Sequence, residues 1–152
     1  MICVRSRQRR RGASLVENAI VLPITFTLIL GLMVGGMGIF RYQEVATLAR
    51  EGARYASTHG YQYRKDAGLA MGTSDDWTTD IYNNAIGPNI IALDTSNLSY
   101  QVSWPDVINQ TGKPDNWPGS KVDVTVNYQW VPEWGPFPSV TLTSTSSMPI
   151  TN

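Results

Sequence analysis

The chain has 152 residues, with 12 Lys and Arg against 12 Asp and Glu, one His and one Cys. That length fits one modest domain and excludes a large multidomain enzyme, while the lone Cys3 excludes an internal disulfide and any CxxC metal or redox motif. The zero net charge conceals a split: Arg5, Arg7, Arg9, Arg10 and Arg11 precede Gly12 with no acidic residue among them, which leaves seven basic and twelve acidic residues beyond it, a formal −5.

From Ala19 to Phe40 the chain is uncharged for 22 residues. As a helix this run reaches about 33 Å at 1.5 Å per residue, enough to cross a hydrocarbon core of about 30 Å. The five arginines lie on its N-terminal side, whereas Arg41 with Glu44 and Arg50 with Glu51 balance on the other. The positive-inside rule therefore puts the N-terminus in the cytoplasm and residues 41–152 outside. The run exceeds the roughly 7–15 apolar residues of a secretory signal, and no A-x-A site follows it. Pro23 removes one backbone donor within the span, so a kink or loosening near Ala19 to Pro23 is expected. Gly31 and Gly35 form a small-xxx-small pair suited to close helix packing.

Glu17 stands at the mouth of this span, where a carboxylate costs a few kcal/mol unless paired or near the interface. Alone, it reads equally as a helix N-terminal Glu that complements the macrodipole. Its spacing adds more: a basic leader ends in Gly12, Glu17 follows five residues later, and the apolar run comes next. R-R-R-G-A-S-L-V-E before such a span resembles the class III signal of type IV pilin-like precursors. The resemblance implies cleavage by a prepilin peptidase between Gly12 and Ala13, and a subunit-docking role for Glu17. A cut there would remove the arginines and create an amine at Ala13, one helical turn from the Glu17 carboxylate. Such a charge pair suits the stacking of similar helices, each carboxylate facing a neighbour's amine.

Beyond Phe40, Val45, Leu48, Ala49, Gly52, Ala53 and Ala56 recur at three and four residues, so the first helix is expected to run from near Ser14 to near Ser57. The run A-R-E-G-A-R-Y-A from Ala49 to Ala56, together with the opening motif and the Leu22-Pro23 pair, is similar to the TadE-like proteins, pseudopilins of tight-adherence (Flp) pili. The resemblance is strong over residues 9–57 and weak afterwards. It implies a minor subunit at the inner membrane, with prepilin peptidase, other pilin-like subunits, the pilus assembly platform and the lipid bilayer as partners. The length, greater than that of the short major pilins, favours a minor role.

Residues 58–74 read as a connector. A second helix over 75–87 is expected, with Ser74 as N-cap, Asp75, Asp76 and Asp80 in its early turns, and Trp77, Ile81 and Ala85 on one face. The period then changes from 3.6 to 2. Leu98, Tyr100, Val102 and Trp104 alternate with polar residues, as do Val122, Val124, Val126, Tyr128 and Trp130, and a Thr/Ser-rich run from Val140 to Met148 suits an edge strand. The expected fold is α+β: a basic leader at 1–12, a transmembrane helix at 13–40, and a pilin-like exterior domain at 41–152. That domain has a helix at 41–57, a second helix, and a three- to four-stranded antiparallel sheet over about 98–148.

Enzyme chemistry has little to stand on, because His59 is the only histidine and no G-x-S-x-G, P-loop or HExxH accompanies it. No catalytic residue, metal, cofactor or nucleic-acid partner is expected. The loop residues Trp134 and Phe137, among several prolines, read either as an exposed interface or as caps over the sheet end. An unprocessed, single-span binding module that works through these loops is the alternative to a pilus subunit.

Overall fold

A computed structural model describes residues 10–69, 74–105, 116–132 and 137–151. Among them α1 spans Arg10–Thr58, α2 Tyr61–Asp66 and α3 Ser74–Ile81, followed by β1 Leu98–Ser103, β2 Lys121–Trp130 and β3 Val140–Pro149. The fold is α+β, a long apolar N-terminal helix followed by a small domain with a three-stranded antiparallel sheet in the order β1-β2-β3. The chain divides into two compact units, Met1–Met37 and Gly38–Asn152.

In the first unit α1 passes through Pro23 without a break in the helix. The hydroxyls of Thr25 and Thr27 donate to the carbonyls of Val21 and Pro23, at 2.9 and 2.8 Å. Such bonds shield hydroxyls in an apolar medium, and Thr is tolerated there for that reason. Leu15, Ile20, Ile24, Phe26 and Leu32 are all exposed, an arrangement that water penalises and lipid does not. Among the described residues α1 is the helix long and apolar enough to cross a membrane.

In the second unit the core forms where two periodicities meet. Val45, Leu48, Ala49, Ala53 and Ala56 are buried along one stripe of α1, and Val122, Val124, Val126 and Tyr128 are buried along one face of β2. The small residues of the helix let the sheet approach closely. A Cβ at Gly52 would lie 3.1 Å from Val124 Cγ1 and 3.3 Å from Ile86 Cγ1, so glycine is what fits there. Tyr100, Val102, Leu142 and Met148 flank the core from β1 and β3, while Ile81, Ile86, Leu93 and Ile150 close it. The outer face of the sheet is polar, with Thr125 and Thr145 hydroxyls 2.9 Å apart and the Thr143 hydroxyl donating to Asn127 Oδ1 at 2.8 Å. As the Thr/Ser content of residues 140–148 suggested, β3 is an edge strand.

The C-terminal end of α1 is fastened to the end of β3. The Ser57 hydroxyl donates to the Pro149 carbonyl at 2.6 Å, and the Thr151 N–H donates to the Ser57 carbonyl at 2.9 Å. The chain enters β2 through a turn at Gly119, whose φ of +92° lies where side-chain-bearing residues are strained.

Two local features differ from the sequence expectation. The connector over 58–74 contains α2, a helix with no buried residue, held by a Gln62 to Asp66 side-chain bond of 3.0 Å and by ring contacts. A helix that buries nothing has no apolar period to betray it. The second helix is α only over Ser74–Ile81, then widens to a π turn over Tyr82–Ile86 and tightens to a 3-10 turn over Gly87–Asn89. Pro88 cannot supply the next helical donor, and the extra residue of the π turn lets Ala85 and Ile86 both reach the core. Ser74, expected as the N-cap, is itself the first residue of α3, and the residue before it lies outside the described residues.

Candidate functional site

The motif residues lie on the first turns of α1. Gly12 is helical and exposed, with no atom within 4 Å of where a Cβ would stand. Ala13 and Glu17 are four residues apart on the same helix, so they share a face. The Glu17 carboxylate is exposed between the exposed side chains of Val16 and Ile20. A carboxylate in such an apolar setting gains most from a cation brought to it by another chain, because few competing water contacts remain in lipid. Gly31 and Gly35 likewise face open space within 4 Å, leaving a shallow strip along α1.

Among the described residues of the second unit, three side-chain clusters stand out. In the first, Asp80 of α3 accepts from Arg64 Nη2 at 2.8 Å and from Asn84 Nδ2 at 2.8 Å, with the Tyr55 hydroxyl at 3.4 Å. The Arg64 guanidinium also lies 4.5 Å from the centre of the Trp77 ring, so one cation joins α2 to α3 through charge and π contact. The Arg64 side chain is largely covered and that of Asp80 about one-third exposed, so solvent screens the pair in part. Asp80→Ala is expected to cost about 1 kcal/mol, measured by unfolding of the full-length chain in mild detergent. All five tryptophans lie between residues 77 and 134, so Trp fluorescence reports on this unit alone.

The second cluster is aromatic. His59 stacks on Tyr55 at 4.0 Å and meets Tyr63 edge-on at 4.4 Å. Its Nδ1 lies 3.0 Å from the Tyr55 carbonyl and 2.9 Å from the Thr58 hydroxyl. The histidine, one residue beyond α1, thus closes the end of that helix. Tyr82 of the π turn stacks on Tyr100 of β1 at 4.8 Å, and burial together with the neighbouring Tyr82 pushes the Tyr100 phenol above its ordinary value of 10.0. A raised folded-state value favours the protonated form. Its contribution to stability is therefore complete below pH 10 and is lost as pH rises through the folded-state value. A tyrosinate absorbance titration of the folded chain should accordingly show a phenol ionising later than in the unfolded chain.

The third cluster centres on Glu44 of α1. Its Oε1 accepts from the backbone N–H groups of Ile91 and Ala92, at 2.9 and 2.8 Å, and so holds a loop 47 residues away in sequence. Sequence reasoning missed this role, because no local pattern announces a carboxylate that serves distant backbone donors. Glu44→Ala is expected to destabilise the unit by about 1–2 kcal/mol, whereas Glu44→Gln keeps the accepting oxygen and most of the stability. Phe40, Gln43, Thr47 and Ile91 complete a shallow groove of about 250 Å³ around this carboxylate.

Among the described residues no group of three or more His, Cys, Asp or Glu is placed to hold a metal ion. Phe137 is exposed, and Trp134 lies outside the described residues. Trp130 instead packs on α1, with its ring 2.8 Å from where a Gly38 Cβ would stand.

No curated protein and no solved structure matches the chain. A family model does match, that of the TadE-like proteins, over residues 12–54. The match begins at the glycine of the leader motif and takes in Glu17, the apolar run and most of the helical stripe that carries the core. Over residues 12–54, from Gly12 into the part of α1 that the sheet covers, the chain is similar to the TadE-like family.

Proposed function

We propose that this chain is a minor pilin-like subunit of a Tad-type pilus, made as a precursor and matured by a prepilin peptidase. The observation that carries this reading is the TadE-like match starting at Gly12, in register with the arginine leader, Glu17 and the apolar run. The arginines orient the precursor in the inner membrane with the sheet domain outside. Cleavage between Gly12 and Ala13 then removes them and leaves an α-amine one helical turn from Glu17. In the membrane the mature helix presents a positive end, a carboxylate and a glycine strip. Each suits contact with a similar helix in a pilin-like assembly or its inner-membrane platform.

Glu17→Ala tests the docking role. In cells with their own Tad system it should abolish incorporation of the subunit, read as loss of the chain from sheared pili or from crosslinked platform complexes. The Trp fluorescence and unfolding midpoint of the purified variant should match the parent, since Glu17 lies outside the unit that carries every tryptophan. Assembly at parental levels would remove the docking role.

A further inference from the structure

In the unit Gly38–Asn152, β2 runs against the direction of α1, and two contacts fix the scale. Gly52 faces Val124, and Gly38 faces Trp130. Fourteen helical residues rise about 21 Å, and six strand residues about 20 Å, so β2 descends α1 in step and reaches Gly38. That glycine lies inside the apolar run, which continues to Phe40. The sheet therefore ends not above the apolar segment but alongside its last residues.

What surrounds that end is apolar and exposed. Val131 follows Trp130 and is exposed, and Val140, the first residue of β3, pairs with Trp130 and is exposed. Phe137 lies three residues before Val140 and is exposed too. Ile91 is 88% exposed on the loop that Glu44 holds against α1, beside Phe40. A β-branched side chain projected that far into water, on a loop that a carboxylate pins at two N–H groups, is costly unless something covers it. Of the other large apolar residues exposed in the described part of this unit, Tyr63 and Leu69 lie away from this end.

We propose that this rim, Ile91 with Val131, Phe137 and Val140, inserts into the boundary between lipid headgroups and acyl chains, giving the domain a second foothold beside its helix. The occupant is lipid because the rim is continuous with the exposed Ile39 and Phe40 at the end of the apolar run. Trp130 faces Gly38 and Tyr42 follows about 6 Å further along α1, and these are the side chains that favour that boundary. No rim residue is charged, so insertion does not require anionic lipid. The rim would hold the sheet domain against the bilayer until the subunit leaves it. The inference rests on the reading of α1 as a membrane span.

Its test uses the full-length chain with Cys3→Ser, reconstituted in phosphatidylcholine vesicles that carry a nitroxide lipid, shallow in one preparation and in the bilayer interior in another. Single cysteines at Ile91, Val131 or Val140 bear an environment-sensitive fluorophore. Leu30→Cys reports on the span, and Ser147→Cys on the opposite end of β3, seven residues or about 24 Å from Val140. The expected result is blue-shifted emission and several-fold stronger quenching at 91, 131 and 140 than at 147. Quenching at 30 with rim labels no different from 147 would overturn the rim proposal and leave the span intact. A label at 30 that lipid nitroxides in the bilayer interior fail to reach would overturn both. Rim shielding that appears only at high protein-to-lipid ratio would assign the surface to a neighbouring copy instead and would also overturn the proposal.

Discussion

Leu48→Ala should lower the stability of the sheet-bearing unit by about 2–5 kcal/mol, the largest loss expected from a single truncation in this chain. Leu48 is 1% exposed and heads the fully buried side chains. Its neighbours above on the same stripe, Ala49, Gly52 and Ala53, are small, and Val45 below is short and stiff at χ1, so no adjacent side chain of the stripe can swing far into the hole. A cavity that cannot collapse sits at the upper end of the range. The opposite change makes the same point from the other side. Gly52→Leu would drive a branched side chain into Val124 and Ile86, both fully buried, at a cost of about 1–3 kcal/mol or more. For Gly52→Ala the clash is opposed by a gain in helix propensity of up to about 1 kcal/mol, so a small net loss is expected. Urea unfolding of the full-length chain in detergent, followed by Trp fluorescence, ranks all three. A parental midpoint for Leu48→Ala would mean that the sheet does not rest on α1 as described.

The second large effect concerns maturation. Gly12→Val should leave the precursor entirely uncut in cells that process the parent. A peptidase that closes on the backbone around this residue tolerates no branched side chain there, which is what the pilin-like resemblance implies for the glycine. The variant is informative because the position carries no packing burden: nothing lies within 4 Å of a Cβ at Gly12. Folding of the second unit should be unchanged, so lost maturation cannot be traced to an unfolded chain. Accumulation of a full-length band at the expense of the mature one, on a gel that resolves the twelve-residue leader, is the readout. Normal maturation of Gly12→Val would remove the glycine from the recognition sequence.

Much of the fold was legible because its main elements bury apolar residues with a clear period. The uncharged run and the 3.6-residue stripe from Val45 to Ala56 marked α1, and strict alternation marked β1 and β2. The Thr/Ser content of β3 even gave its place at the sheet edge. The features that escaped lack such a signal. Tyr61–Asp66 folds as a helix while burying nothing, and the π turn at Tyr82–Ile86 depends on how far Ile86 must reach. Glu44 was visible only as a charge balancing Arg41, since its bonds to Ile91 and Ala92 cross 47 and 48 residues. Trp130 fits the alternation of β2, yet what it meets, Gly38, is set by the length of strand laid against helix. For the N-terminal motif the balance is reversed. The spacing of arginines, Gly12, Glu17 and span is entirely a property of the sequence, and the helix adds only that Ala13 and Glu17 share a face.

On the proposed function, this chain works in a form the gene product does not yet have. Intact mass and N-terminal sequencing of the chain, purified from membranes of cells with their own pilus system, test that maturation most directly. The expected result is a chain that begins at Ala13, without the five-arginine leader, and that is acidic by five formal side-chain charges. A chain that keeps Met1, or one that begins beyond Phe40, would contradict it.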